Sequence, residues 1–496
     1  MNKIGWAAMA AACVLVAGIS ACSDATLSPV QPEPSAAVPD LSDALPEPNP
    51  VQMFGNYPLA SVGYSISEFF ISGAASSYSS SRPLGSDGKW SVVPDATAPY
   101  KTRLVVVQPV DRNDFSGTVI VEWFNVTSGL DQAVDWLYTH REIIREGHAY
   151  VGVSAQAVGV NQLLESDPAR YGSLGHPGDS YSYDMYSQAG MAVREWSATL
   201  LPGLQVRSLI ADGESQSAGR LTTYVNALAP LVNVYDGYLI HSRGGGSPAV
   251  SVAPEADVPA PETVFIRDDL TVPVLTLQTE TDVLGISGFL PARQPDNPSH
   301  RLWEVAGTAH VDIYVAQQAG DDTGTIESDV AQFSSMTSPS TGFTVDLGGS
   351  PLTLECPPGL NAGQQHYVML AALHTLIEWV ETGEQPGSMP RLEVDSTTTP
   401  PSFGIDENGN VKGGVRTPAV DAPVATLSGL PAADAAGFCV FFGQTVPLTQ
   451  ERLTALYPTQ DEFVRKWRQA AADAQAAGYL LPVDAARLAE VVSGTQ

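Results

Sequence analysis

Short, almost uninterrupted apolar runs alternate with helical patterns through the middle of the chain, and this alternation restricts the fold more than any other feature. The apolar runs lie at 103–110, 118–124, 148–156, 206–212, 234–242, 272–279 and 301–307. Helical periodicity separates several of them, at 131–145, 185–200 and 218–228. Strands joined through helices pair in parallel, and strands that are apolar on both faces are covered on both faces. The sequence therefore predicts an α/β fold with a mostly parallel central sheet and helices on both faces.

Two insertions and a long C-terminal extension accompany this core. The insertions, at about 157–184 and 243–270, are rich in Gly, Pro, Ser and Asp. We expect them to act as lids over the C-terminal edge of the sheet, where open α/β sheets bind ligands. The extension, at about 320–490, begins polar and irregular, has hairpin-like turn chemistry at 400–418 and ends in amphipathic helix.

The N-terminus has the pattern of an export signal. Lys3 precedes an apolar run that is too short to span a membrane easily, and the segment ends in the lipobox-like sequence Ile-Ser-Ala-Cys at Cys22. We interpret residues 1–21 as a lipoprotein-type signal peptide and 22–52 as a Pro-, Ala- and Ser-rich tether to a domain at 53–490. Acylation of Cys22 would anchor the protein to the cell envelope. Cleavage without a lipid would release it as a secreted protein.

Charge and cysteine content narrow the class of protein further. The chain has 24 basic and 54 acidic residues, a net charge of -30, which argues against nucleic acid and anionic lipid surfaces as partners. Cys356 and Cys439 are the only cysteines of the predicted mature domain, and in an exported protein they are expected to form a disulfide. The histidines are scattered without zinc-like spacing, so no metal site is predicted.

The segment ADGESQSAGR, at 211–220, has the context of a nucleophile elbow. A strand pattern runs directly into it and a helical pattern leaves it, which is the strand-turn-helix setting that such a serine needs. Either Ser215 or Ser217 fits a small-x-Ser-x-small pattern. Ser215 is favoured because its turn follows the apolar strand at once, whereas Ser217 would require polar residues to extend the strand.

The residues that would activate this serine follow in the usual order. Glu280 and Asp282 lie just past the strand at 272–279, and Asp282 is favoured as the acid with Glu280 as its alternative. His310 follows the next strand and is the predicted base, while His241 remains a residue that could line the pocket. The backbone of Gln216 is the predicted first donor of the oxyanion hole. The second donor is expected at Asn125 or Val126, in the turn after 118–124.

Several longer blocks together resemble a bacterial family of exported proteins known as α/β-hydrolase-domain proteins. They include VEWFNVTSG, YSYDMYSQAG, GESQSAGRLTTYVNA, VPVLTLQTETD, AGTAH and CVFFGQTVPL, within about residues 55–490. The resemblance implies the α/β-hydrolase fold and a serine hydrolase triad at Ser215, Asp282 and His310. The chain departs from the commonest elbow by carrying Ser217 where a second glycine usually stands.

These observations predict an exported serine hydrolase that cleaves carboxylic esters through an acyl-enzyme. The expected substrate is a small-molecule or polymeric ester, with no cofactor, no metal and no nucleic acid, and with the membrane contacted only through the N-terminal lipid. Two alternatives stay open. One is a non-catalytic ligand-binding lipoprotein on the same fold, and the other is a hydrolase of lactone, polyester or amide bonds.

Overall fold

The computed structural model describes residues 35–46, 55–339, 343–346, 351–354 and 356–494. Cys22, the predicted signal peptide and most of the predicted tether lie outside these residues. The interpretations of residues 1–34 therefore stay predictions. None of the helices in the described ranges is long and apolar enough to span a membrane.

A nine-stranded sheet forms the centre of the domain. Its strands are β1 Asp40–Leu41, β2 Tyr64–Ser79, β3 Val93–Pro109, β4 Thr118–Trp123, β5 Ala149–Val153, β6 Ser208–Glu214, β7 Gly237–His241, β8 Val274–Thr279 and β9 His300–Val305. Their order is β1-β2-β3-β5-β4-β6-β7-β8-β9. The first three pairings are antiparallel, and every pairing from β5 to β9 is parallel. The predicted mostly parallel sheet is confirmed, and its C-terminal edge collects the ends of β6, β8 and β9.

Helices cover both faces of the sheet. They are α1 Val134–Arg145, α2 Ala157–Ser166, α3 Pro168–Tyr171, α4 Ser182–Glu195, α5 Ser197–Leu200, α6 Gln216–Ala227, α7 Ala229–Val232, α8 Glu280–Leu284, α9 Ile326–Thr337, α10 Gln365–Thr382, α11 Pro418–Asp421, α12 Gln450–Leu456, α13 Gln460–Ala476 and α14 Pro482–Gly494. Shorter 3-10 turns lie at Leu59–Val62, Arg112–Asp114, Asp179–Tyr181, Leu290–Ala292, Ala319–Asp321 and Gly437–Phe441, with a π-helical turn at Tyr314–Gln318.

The strands are apolar on both sides because each side has its own helical layer. On β6, Ile210 packs in the cluster that contains Trp136 of α1 and Leu373 of α10. Its neighbour Leu209 packs in the opposite cluster, with residues of α4 and α6 such as Tyr224. Adjacent residues of a strand point to opposite faces, so one apolar run supplies two cores.

The first insertion is more regular than the sequence predicts. Residues 157–184 contain α2, α3 and the start of α4, whereas 243–270 are irregular apart from one bridge between Ser251 and Val258. The two insertions contact each other where the Ser180 hydroxyl donates to the Val252 carbonyl at 2.9 Å. The second insertion also lies on α6, because Thr223 donates to the Pro248 carbonyl at 2.7 Å. Their action as lids stays a prediction.

The C-terminal extension is an integral part of the domain, because its helix α10 packs on one face of the sheet and other parts of it pack beside β9 and α8. Small hairpins form it together with α9 to α14, namely β10 Phe343–Asp346 with β11 Pro351–Leu354, β12 Val394–Asp395 with β13 Ser402–Phe403, and β14 Ala425–Ser428 with β15 Gln444–Pro447. The predicted disulfide is present, because Cys356 is bonded to Cys439. The cluster around it includes Leu302 of β9 and Val283 of α8, two elements that border the end of the sheet.

Candidate active site

Ser215 lies on a sharp turn between β6 and α6. Its backbone has φ 56° and ψ -112°, in the left-handed half of the map that a residue with a side chain seldom adopts. The Ser215 amide donates to the carbonyl of His241 at 2.9 Å, which holds the turn against the end of β7. A side chain at Gly213 would place its Cβ only 3.1 Å from the Cβ of Ser217, so the small residues let strand and helix approach closely.

The geometry separates the two serines of the motif. Ser217 is fully buried on the first turn of α6, and its hydroxyl donates to the carbonyl of Phe124 at 3.1 Å. Ser215 is partly exposed, and its hydroxyl lies 2.8 Å from Nε2 of His310. Ser217 therefore fixes the helix to the turn after β4, while Ser215 alone presents an oxygen to a base.

His310, in the loop after β9, lies between Ser215 and Asp282, which is on the first turn of α8. The Nε2 atom of His310 lies 2.8 Å from Oγ of Ser215, and its Nδ1 atom lies 2.7 Å from Oδ1 of Asp282. The second oxygen of Asp282 accepts two bonds from Thr279, from the amide and from the hydroxyl, both at 2.7 Å. Thr279 and Asp282 also form the capping box of α8, so the acid is held by the start of its own helix.

The loop that carries His310 is positioned by Glu280. One carboxylate oxygen of Glu280 accepts the amide of Gly307 at 2.6 Å, and the other accepts the amide of Gly429 at 2.8 Å. A fully buried side chain with both oxygens on backbone amides is not available to an imidazole. Of the two acids proposed from the sequence, the structure thus brings only Asp282 to His310.

The neighbouring carboxylates of Asp282 and Glu214 determine the direction in which the pKa of His310 shifts. Burial alone would lower the pKa of His310, but Asp282 and Glu214 outweigh burial and raise that pKa to about 9. Burial alone would raise the pKa of Asp282, but the facing imidazole and the bonds from Thr279 hold it below its usual value. The arrangement stabilises an imidazolium between two carboxylates, which is the charge that a serine hydrolase develops during acylation.

Two of the three predicted oxyanion donors remain available. The amide of Gln216 is the first of α6, and the first amides of a helix have no partner within it. The amide of Val126 meets no acceptor among the described residues. The prediction for Asn125 is wrong, because its amide donates to the carbonyl of Gln132 at 3.0 Å and is already committed.

A family model described as an alpha/beta hydrolase domain matches residues 34–490. The chain belongs to this family. A search of curated proteins finds no match.

Solved structures that resemble this α/β hydrolase share little sequence with it. An α/β serine hydrolase without a lid from Xanthomonas campestris is 14% identical, with a TM-score of 0.24 over 41% of this chain and 78% of that one. The rice cell wall degrading esterase LipA from Xanthomonas oryzae is 13% identical, with a TM-score of 0.20 over 36% and 43%. A glucuronoyl esterase from Solibacter usitatus is 10% identical, with a TM-score of 0.28 over 55% and 82%.

Sequence reasoning missed Glu214, which lies beside His310, the predicted base. This residue precedes Ser215 and is 3% exposed, and its Oε1 atom lies 3.3 Å from Nε2 of His310. The side chain of Asn125 holds it, since Nδ2 donates to the second carboxylate oxygen at 3.0 Å and to the Glu214 carbonyl at 3.1 Å. Burial raises the pKa of Glu214 to about 7, although the charge of His310 opposes the rise.

His241 does not line a pocket. The side chain of His241 is fully buried. Its Nδ1 atom lies 2.7 Å from Oδ1 of Asp135, and its Nε2 atom lies 2.8 Å from the side-chain amide nitrogen, Nε2, of Gln365. An amide nitrogen donates only, so Nε2 accepts and Nδ1 donates its hydrogen to Asp135. Burial lowers the pKa of His241 to about 4, which is consistent with a neutral ring at the end of β7.

In the described residues no group of three His, Cys, Asp or Glu is placed to hold a metal ion.

Proposed function

We propose that this α/β hydrolase cleaves carboxylic esters through an acyl-enzyme on Ser215. The observation that carries the proposal is the continuous line from Oγ of Ser215 to Nε2 of His310 and from Nδ1 to Asp282, at 2.8 and 2.7 Å, on a strained and partly exposed turn. Strain of this kind persists only where the surrounding structure imposes it, and it is concentrated at functional sites.

The chemistry follows from the positions of these atoms. His310 takes the proton of Ser215 as its oxygen attacks the acyl carbon, and the amides of Gln216 and Val126 receive the negative oxygen. The imidazolium, held between Asp282 and Glu214, then gives its proton to the alcohol oxygen as the bond from the acyl carbon to that oxygen breaks. Water, deprotonated by His310, releases the acid in the second half of the reaction.

The test is labelling with a fluorophosphonate probe, followed by hydrolysis of p-nitrophenyl esters. We expect the wild type to react with the probe and to turn over the esters, and Ser215→Ala to do neither while keeping its thermal stability. Ser217→Ala is the matched control, and it should still react with the probe. Equal labelling of the wild type and Ser215→Ala would disprove the mechanism.

The same experiments address the other two hypotheses. A non-catalytic binding protein would not react with the probe, despite its cleft. A lactone, polyester or amide hydrolase would react with the probe but would favour those substrates over simple esters in a side-by-side panel. Since the fold alone does not select the bond, the panel is the deciding measurement.

We also propose that the protein is exported and acylated at Cys22. The support is the sequence of residues 1–22 and the disulfide between Cys356 and Cys439, a bond that forms in oxidising compartments. Metabolic labelling with an alkyne fatty acid should mark the wild type but not Cys22→Ala. Equal labelling of both would exclude this anchor.

A further inference from the structure

Three phenylalanines form a cluster directly beside the proposed base. Phe438, Phe441 and Phe442 belong to the segment 437–442, and we call them the aromatic cluster. The ring of Phe441 lies 5.0 Å from the ring of His310, and the ring of Phe438 lies 5.3 Å from Phe441 and 5.7 Å from Phe442. Phe442 is 1% exposed and Phe438 is 41% exposed, so the cluster extends from the core to the surface next to the site.

The aromatic cluster is fixed to the same loop as the base. The amide of Val311, the residue after His310, donates to the carbonyl of Phe441 at 3.1 Å. The amide of Asn361 donates to the carbonyl of Phe442 at 2.9 Å. Cys439, between these phenylalanines, is held by its disulfide to Cys356. These connections keep the exposed aromatic surface at a constant distance from the imidazole.

The chemistry of the first step decides which part of a substrate meets this surface. In the proposed mechanism Oγ of Ser215 bonds to the acyl carbon, the bond from that carbon to the alcohol oxygen breaks, and the proton of Ser215 leaves on the alcohol through His310. The alcohol oxygen must therefore approach Nε2 of His310. The group attached to that oxygen then lies on the His310 side of the serine, where Phe441 and Phe438 border the site.

We propose that the aromatic cluster binds the alcohol part of the ester and makes the protein selective for esters of bulky apolar alcohols. The inference rests on the proposed esterase function. An exposed aromatic surface such as that of Phe438 is stabilised when an apolar group covers it, and a ring at the edge of Phe441 adds a favourable aromatic contact. Esters of methanol or ethanol leave that surface in water and do not gain this binding.

The experiment compares acetates that share one acyl group and differ only in the alcohol. Ethyl, hexyl and 2-phenylethyl acetate have alcohols of similar acidity, so differences in kcat/KM report binding of the alcohol rather than leaving-group chemistry. We expect the wild type to favour 2-phenylethyl over ethyl acetate by about 10- to 100-fold. Phe438→Ala and Phe441→Ala should each reduce this ratio by about 5- to 20-fold.

Two controls separate a binding surface from a general defect. Trp196→Ala removes an aromatic side chain of similar exposure, 40%, at the end of α4, where its Nε1 donates to the Pro39 carbonyl, and it should keep the wild-type ratio. Lengthening the acyl chain, from ethyl acetate to ethyl hexanoate, should give the same ratio in the wild type and in Phe438→Ala. Phe438→Ser provides a second variant at an exposed position that should not disturb folding.

The outcomes distinguish failure of the alcohol site from failure of the proposed esterase function. An unchanged alcohol ratio in the Phe438 and Phe441 variants, with ester cleavage still dependent on Ser215, would overturn the alcohol site alone. A changed acyl ratio with an unchanged alcohol ratio would also overturn it, by assigning the cluster to the acid part. Absence of any cleavage that depends on Ser215 would overturn the proposed function and this inference together.

Discussion

Replacing Glu214 by Gln is expected to move the pH dependence of the enzyme toward neutrality. The substitution removes a negative charge 3.3 Å from Nε2 of His310 and keeps the shape of the side chain. Gln still presents an oxygen to the side-chain amide of Asn125, whose Nδ2 donates to Glu214 at 3.0 Å. The lost carboxylate stabilises the imidazolium, so its removal lowers the pKa of His310 from about 9. The neutral imidazole, which is the base of the proposed mechanism, then persists to lower pH.

The size of the shift can be bounded from the distance. Two unit charges 3.3 Å apart interact by about 5 kcal/mol at an effective dielectric constant of 20, which corresponds to roughly 4 pH units. The partly exposed Ser215 admits water to one side of the pair and reduces that interaction, so we expect a shift of about 1 to 2 pH units. The plateau at high pH should fall about tenfold, because the transition state loses one of its two carboxylates.

The assay is kcat/KM for one acetate ester between pH 5 and pH 10.5, since that parameter reports the ionisation of the free enzyme. The wild type should lose activity on the acid side of about pH 9, and Glu214→Gln on the acid side of about pH 7 to 8. Glu407→Gln changes the net charge equally at a side chain that is 76% exposed, and it should leave the profile in place. An unmoved or raised acid limb in Glu214→Gln would refute the reasoning.

Further predictions concern the acids and the disulfide. Asp282→Asn should lower kcat about 10³- to 10⁴-fold with little change in stability. Glu280→Gln should lower the unfolding free energy by about 1–3 kcal/mol, measured by thermal melts, and should leave the acid limb of the kcat/KM profile unmoved. The reverse pattern would make Glu280 the acid. Replacing both Cys356 and Cys439 by Ala opens a loop with a sequence separation of 83 and should cost up to about 4.5 kcal/mol, so an unchanged Tm would contradict a stabilising bond. Burial, followed by the charge of Asp135, raises the pKa of Glu122 from 4.5 to about 8. The stability that its neutral form provides is present below pH 4.5 and lost as pH rises through 8, so Glu122→Gln should flatten that part of a plot of Tm against pH.

The parallel half of the sheet was predictable because its strands carry their signal locally. Each of β4 to β9 lies within an apolar run or within two residues of one, because these strands are buried on both faces and carry apolar residues on both, beside buried polar ones such as Glu122 and Glu214. The long antiparallel pair of β2 and β3 was not predicted beyond 103–110. The outer parts of both strands are rich in Ser, Ala and Thr, and much of that length is only partly buried, so the sequence there lacks a clear apolar period.

At the site, too, features that depend on adjacent residues were predictable from the sequence, whereas features that depend on tertiary contacts were not. The choice of Ser215 over Ser217 followed from where the apolar run ends, at 212, which is a local property, although β6 itself continues through polar residues to Glu214. The roles of Glu280 and Asp282 differ only in their partners, and the partner of Glu280 at Gly429 lies 149 residues away in the chain. Asn125 is a second example of a tertiary contact that the sequence does not show. The sequence indicates a turn at this residue, but not that its backbone amide donates to the carbonyl of Gln132.

The two glycine amides that donate to Glu280 determine how far the C-terminal extension of this protein can be truncated. Gly307 starts the loop of the base, and Gly429 belongs to the extension far beyond the last strand of the central sheet. A version cut after the loop of His310 would remove Gly429, so one buried oxygen of Glu280 would lose its amide donor and that loop would lose this support. We therefore expect a truncation that removes the C-terminal extension to weaken the placement of His310 relative to Ser215 and Asp282.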